Sequence, residues 1–361
     1  MRKPRRLALL GAFAFPAPLG SQRFAAEQAR ALRDAGAEVE LIAYGAGARW
    51  RGLDARKLPA DAALARALIA AHRASPFDAV LAHNAEAALV ALAVRRRLGV
   101  PVVYVAHTLW AEELETWLPA LTWPAARAAG AALDRALART ADAVLVLSEA
   151  ARRALETAAR GPVAQIAPGH TAEAAPAHAA VEAACKARGL ACDGFALYAG
   201  NLDRYQDLEV LDAAATQPPA LPVVVATHEA RPARFRRLRV IEVGSVEEAR
   251  LLTYGAAVAL LPRRGRGGFP IKLLHYMEAG RAIVARRGVA ETLVHGESAW
   301  LVPDDAGPEP FAAALERLDE DRALRDRLGA GARRALEKHH AWPPLAEATL
   351  SLLDSLVGSS G

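Results

Sequence analysis

The sequence predicts an α/β protein built from two Rossmann-like domains in tandem, each a parallel sheet wrapped by helices. Three observations predict it. Short apolar runs alternate with amphipathic stretches of helical period along almost the whole chain, the pattern of a doubly wound sheet. A stretch rich in proline, alanine, histidine and glycine at residues 167–180 divides that alternation into two series. The length of 361 residues also exceeds what one ordinary core organises.

Taken in order, the first series places strands at 7–11, 38–43, 79–82, 102–106 and 143–147. Between them, 21–35, 61–73 and 86–98 read as helices; Ser21 is the expected cap of the first and Gly36 its stop. The second series places strands at 195–199, 223–226, 240–243, 258–261 and 282–285. The expected division is an N-terminal domain over 1–166, a linker over 167–180, a C-terminal domain over 181–342 and a helical tail over 343–361. That tail is free to pack on either domain, a return to the N-terminal one included. In such sheets ligands bind at the C-terminal ends of strands, here facing a cleft between the domains.

Hydrophobic residues make up 53% and charged residues 24%, which excludes a disordered chain. A net charge of +5 and a pI near 9.4 fit phosphates, nucleic acid or an acidic membrane surface. No nucleic-acid partner is expected, because basic and aromatic residues are not interleaved. Cys185 and Cys192 have neither metal-ligand nor redox spacing and read as idle thiols in a reducing compartment. The basic start followed by the apolar 7–15 imitates a signal peptide, but 7–11 serves equally as a buried first strand. No uninterrupted apolar run reaches the ~18 residues of a membrane span, so a cytoplasmic protein is expected. Peripheral membrane contact at the inner face would run through 117–139, where Trp117, Trp123, Arg127, Arg135 and Arg139 lie; the same segment reads as a wall of the acceptor cleft. Asp319 and Asp321 have the Asp-x-Asp form of metal-dependent transferases but sit in a helical, charged run, and His170, His339 and His340 lack companions at ligand spacing. No metal and no cofactor are expected.

Chemistry concentrates at residues 262–280. A strand is followed by a glycine-rich basic loop with Arg263, Arg264, Arg266, Gly265, Gly267 and Gly268; Pro270 then opens a helix that Gly280 ends. Free N–H groups and the positive dipole end make such a helix start an anion site, and Lys272 in the first turn meets the anion's charge.

Residues 272–285 resemble the donor-site signature of retaining GT-B glycosyltransferases, particularly glycosyltransferase family 4. Residues 288–296 and 299–302 resemble the segment that follows it. Residues 198–202 resemble the first strand and turn of the donor domain, 141–148 the last strand of the acceptor domain, and 18–23 the N-terminal glycine loop. The resemblance implies transfer of a sugar from a UDP- or GDP-sugar with retention, to an acceptor that is a glycan, a lipid-linked molecule or a small molecule. It assigns donor binding to Gly20, Gly200, Gly267, Gly268, Lys272, His275 and Glu291, the last through ribose hydroxyls; at the donor-domain turn, where the family often has an arginine and then a lysine, this chain has Asn201 and Gln206, and Arg204 and Arg263 are the expected substitutes for donor binding. It assigns contact with the donor sugar or reacting centre to His107 and makes His107 and Lys272 the catalytic candidates. Many members carry two glutamates flanking the anion loop, where this chain has Gly267 and His275. A catalytically impaired transferase-like subunit or a nucleotide-sugar-binding protein is the alternative reading; an epimerase shares the two-domain shape without these segments.

Overall fold

A computed structural model describes residues 5–16, 20–45, 52, 54–215, 221–230 and 234–358. The chain falls into two compact units. Unit 1 is drawn from Met1–Thr171, Arg266–Phe269 and Ala341–Gly361, and unit 2 from Ala172–Gly265 and Pro270–His340.

Unit 1 holds six parallel strands, β1 (Arg6–Ala14), β2 (Glu38–Tyr44), β3 (Ala79–His83), β4 (Val102–Ala106), β5 (Ala143–Val146) and β6 (Val163–Gln165), in the order β2-β1-β3-β4-β5-β6. Every residue of β3, β4 and β5 is buried, as expected when helices cover both faces of a sheet. The covering helices are α1 (Gly20–Asp34), α2 (Lys57–Ala74), α3 (Ala85–Leu98), α4 (Trp110–Trp117), α5 (Trp123–Thr140) and α6 (Glu149–Leu155). Local chemistry sets their ends. Asn84 caps α3 by accepting from the Ala87 N–H at 3.0 Å, and Ser148 caps α6 through Ala151 at 3.2 Å. Ser21 is not the cap of α1: the helix already begins at Gly20, and the Ser21 hydroxyl donates to the neighbouring Gln22 side chain. The Pro18 end of the expected glycine loop lies outside the described residues.

Unit 2 repeats the plan. After α7 (His178–Ala187) come β7 (Ala196–Ala199), α8 (Leu208–Ala214), β8 (Val223–Thr227), β9 (Arg239–Glu242), α9 (Val246–Gly255), β10 (Val258–Leu261), α10 (Lys272–Glu278), β11 (Ala282–Arg286) and β12 (Trp300–Val302). The parallel order is β12-β11-β10-β7-β8-β9. Helices α11 (Pro308–Glu320) and α12 (Arg322–His339) close the unit. In both sheets the winding direction reverses once, between β1 and β3 in unit 1 and between β7 and β10 in unit 2. Those are the switch points where such sheets leave a crevice for ligands.

The strands absent from the sequence reading are β6 and β12, three residues each at sheet edges, with too few apolar positions to show a pattern. The division also differs in detail. The boundary at Thr171/Ala172 falls inside 167–180, whose last residues already belong to α7. Arg266–Phe269, read from sequence as part of the second domain's loop, belongs to unit 1, as does everything from Ala341 onward. The tail forms α13 (Trp342–Gly358), held on α1 by a Trp342 Nε1 hydrogen bond to Glu27 at 3.1 Å and by Trp342 stacked on Phe24 at 5.9 Å.

Candidate functional site

In unit 2 the candidate residues gather at the switch point, after the C-terminal ends of β7 and β10. Lys272 opens α10, and its ammonium donates to the Tyr198 hydroxyl and, at 3.3 Å, to the Gln206 side-chain carbonyl. It also lies 4.0 Å from the centre of the Tyr198 ring. No carboxylate forms an ion pair with it among the described residues. Desolvation, followed by the nearby Arg263, holds its pKa well below the ordinary lysine value, with Asp203 acting weakly the other way. A cation enclosed by neutral partners is a position short of one negative charge.

Gly200 explains how the lysine fits. Its φ of +147° is a conformation glycine tolerates, and a side chain there would run into the Lys272 ammonium. Asn201 follows, its amide donating to Asp203 and, at 3.2 Å, to Tyr205, and its carbonyl accepting from Gln206 at 2.8 Å. Tyr198 donates to the Asn201 backbone carbonyl at 2.7 Å, so the floor under Lys272 is a closed hydrogen-bond ring. Arg263, only 7% exposed, lies 5.1 Å from the Tyr205 ring centre and bonds the Gly265 carbonyl at 2.8 Å. Arg204 sits exposed in the short 3-10 turn between β7 and α8. His275 lies one turn after Lys272 on α10 and is partly exposed; Glu291 stands on an exposed turn after β11.

Sequence reasoning missed what holds this site in place. Arg286, at the end of β11, is fully buried and donates to the carbonyls of Pro262 at 2.7 Å and of Asp304 and Ala306, each at 2.9 Å. Its other arm meets the Asp207 carboxylate at 2.6 Å, which Arg264 also meets at 2.6 Å. The turn after β7 is thereby tied to the segment after β10. The only trace in the sequence is a charge closing an otherwise apolar strand.

The glycine loop is used differently from the sequence reading. Arg266–Phe269 lies against residues 107–112 within unit 1. A side chain at Gly268 would strike the His107 carbonyl and lie 2.7 Å from the Thr108 hydroxyl, so only glycine permits the approach. The amides of Arg266 and Gly267 donate to one Glu112 carboxylate oxygen at 3.1 and 2.9 Å, and Ser148 donates to the Arg266 carbonyl at 2.8 Å. The loop does bind an anion, and that anion is the protein's own Glu112. The Asp-x-Asp sequence is structural as well: Asp321 caps α12 by accepting from Leu324 at 2.8 Å.

In unit 1, His107 follows β4 and meets His83, the last residue of the adjacent β3, with Nδ1 of His83 2.9 Å from Nε2 of His107. Phe24 of α1 packs on both rings, at 5.2 and 5.8 Å between centroids. Burial pushes the His107 imidazole down to about 4 and, with His107 adding to the effect, holds His83 well below the ordinary histidine value, so both are neutral near pH 7. Among the described residues no helix is long and apolar enough to cross a membrane.

Two Rossmann-like units, each a six-stranded parallel sheet wrapped by helices, are the architecture of the GT-B fold. Each half of the chain matches a glycosyltransferase model, and the chain is a glycosyltransferase that resembles family 4. The sequence model of Glycosyltransferase Family 4 matches residues 19–173, and that of Glycosyl transferases group 1 matches residues 196–321. Similar solved structures include sucrose-phosphate synthase from Thermosynechococcus elongatus, at 18% identity and a TM-score of 0.79 over 98% of this chain and 100% of that one. HepE of Anabaena, in complex with UDP and glucose, superimposes with a TM-score of 0.71 at 15% identity, over 97% of this chain and 100% of that one. A glycosyltransferase from Rickettsia africae gives 0.74 at 11% identity over 99% of each chain. No curated protein matches the sequence.

Proposed function

We propose that this protein transfers a sugar from a nucleoside-diphosphate sugar to an acceptor hydroxyl, with retention and without a metal. The observation that carries the reading is the Lys272 ammonium at the unit 2 switch point, enclosed by Tyr198, Gly200 and Gln206 with no carboxylate in an ion pair with it among the described residues. A diphosphate supplies the missing charge. As the glycosidic bond breaks, negative charge grows on the departing diphosphate, and Lys272 and Arg263 stabilise it from fixed positions. Gly200 and Asn201 line its approach, His275 and Glu291 contribute to nucleotide contacts, and His107 contacts the sugar. UDP is the first nucleotide to test, since complexes of HepE hold UDP and UDP-glucose.

The decisive measurement is calorimetric titration with UDP and GDP. Lys272→Ala is expected to weaken the preferred nucleotide by about 1.5–3 kcal/mol, the range of a charge-assisted hydrogen bond, while the melting temperature holds. Because desolvation lowers the Lys272 pKa, affinity for the nucleotide falls on the alkaline side at a pH below the ordinary lysine range. Unchanged affinity in Lys272→Ala removes the assignment. A second reading, a nucleotide-sugar-binding protein without transfer, is favoured by Gly267 and His275 standing where the resemblance to family 4 implies glutamates. Nucleotide binding with no hydrolysis or transfer of UDP- or GDP-sugars would select it.

A further inference from the structure

We infer that His83 is a positioning residue that locks His107 as its Nδ1–H tautomer, so that His107 offers the substrate a hydrogen-bond donor and no base. The inference rests on the proposed contact of His107 with the sugar and deepens it.

The geometry allows two arrangements. Either His83 Nδ1–H donates to His107 Nε2, or His107 Nε2–H donates to His83 Nδ1, across the same 2.9 Å. They differ in what is left over. The other nitrogen of His83, Nε2, is buried and has no hydrogen-bond partner. In the first arrangement this orphan is a bare lone pair; in the second it is a buried N–H. Orphaned buried N–H groups are rarer in folded proteins than under-satisfied acceptors. The first arrangement therefore prevails. Since the hydrogen bond at one ring nitrogen dictates the proton at the other, His107 then carries its proton on Nδ1.

The surroundings keep the pair in this state. His83 is 0% exposed, the two rings meet edge to face at 78°, and Phe24 closes over both. Burial keeps both imidazoles neutral, so neither ring gains a second proton that would break the shared bond. His107 itself remains partly exposed, and its Nδ1 has no protein partner among the described residues. Its Nε2 lone pair, the atom a general base would use, is occupied by His83. What remains for substrate is an N–H, suited to a sugar hydroxyl oxygen or a developing negative oxygen.

Nitrogen-15 spectra of the histidine side chains in the full chain test this directly. The expected wild-type result is His107 protonated at Nδ1 and bare at Nε2. In His83→Phe, which keeps ring packing and removes the bond, His107 becomes a mixture of tautomers and sugar transfer falls about tenfold. His83→Asn, whose side-chain amide reaches the Nδ1 position, restores the single tautomer and most of the transfer rate. A wild-type His107 protonated at Nε2, or a tautomer unchanged in His83→Phe, overturns the inference. The wild-type spectrum decides even where a variant fails to fold. A chain that transfers no sugar leaves the tautomer readout intact, so the two readings fail separately.

Discussion

His83 and His107 enter the fold as neutral rings, and that has a consequence for stability. A histidine whose folded pKa is depressed binds fewer protons folded than unfolded, so stability is lost as pH falls from the ordinary histidine value near 6.5 toward about 4. Asp134 acts in the opposite sense: burial raises its pKa to about 6, so acid relieves a strain there. The expected outcome is that wild type loses more melting temperature between pH 7 and pH 5 than His83→Phe does, with Asp134 common to both. Equal losses would show that the histidine pair does not carry the acid sensitivity. A second prediction concerns His275. If it meets the donor, the diphosphate raises its pKa and binding takes up a proton, so affinity weakens from about pH 6 to 8. Calorimetry across that range should show the dependence in wild type and lose it in His275→Gln; flat profiles in both would leave His275 structural. Lys272 was legible in the sequence because its signal is local: strand, glycine loop, proline, lysine. His83 was not, because its importance comes from the end of β3 lying beside the end of β4, a pairing no local spacing encodes.

At the scale of elements, α4 is the piece whose task the sequence concealed. Its Glu112 holds the 266–269 segment through backbone amides, and Asp134 of α5 caps α4 itself by accepting from Trp110 and Ala111 at 3.1 and 3.0 Å. Glu112→Ala leaves the buried Gly267 amide without a partner and should cost about 1–3 kcal/mol, read as a lowered melting temperature. Glu112→Gln keeps an acceptor and should cost clearly less; equal losses would mean the packing of the side chain, not its acceptor, holds the loop. The far side of this element pair is exposed: Leu121 is 94% accessible, Trp117 stands out near it, and Arg135 and Arg139 face solvent along α5. Such a surface suits anionic lipid headgroups. Co-sedimentation with vesicles containing anionic lipid, weakened by Leu121→Asp and by salt, is the expected result. Absence of binding to anionic vesicles would remove the lipid contact from this face.

At the scale of the whole molecule, α13 returns the end of the chain to unit 1, where Trp342 covers Phe24 and, behind it, the histidine pair. Trp342→Ala should lower stability by roughly 2–4 kcal/mol, somewhat below a fully buried tryptophan, while UDP affinity is retained. A loss of nucleotide binding equal to that of Lys272→Ala would contradict the placement of the anion site in unit 2. The sequence by itself determined the two α/β units, the parallel strands and the position of Lys272 behind a strand and glycine loop. Those follow from period, polarity and turn chemistry, which act over a few residues and leave a local pattern. Only the tertiary structure decided that His83 meets His107, that Glu112 occupies the glycine loop, that Arg286 ties β7's turn to β10's, and that the tail packs on α1. Each of these joins residues far apart in the chain, and a parallel sheet aligns strand ends without writing their partners into either segment.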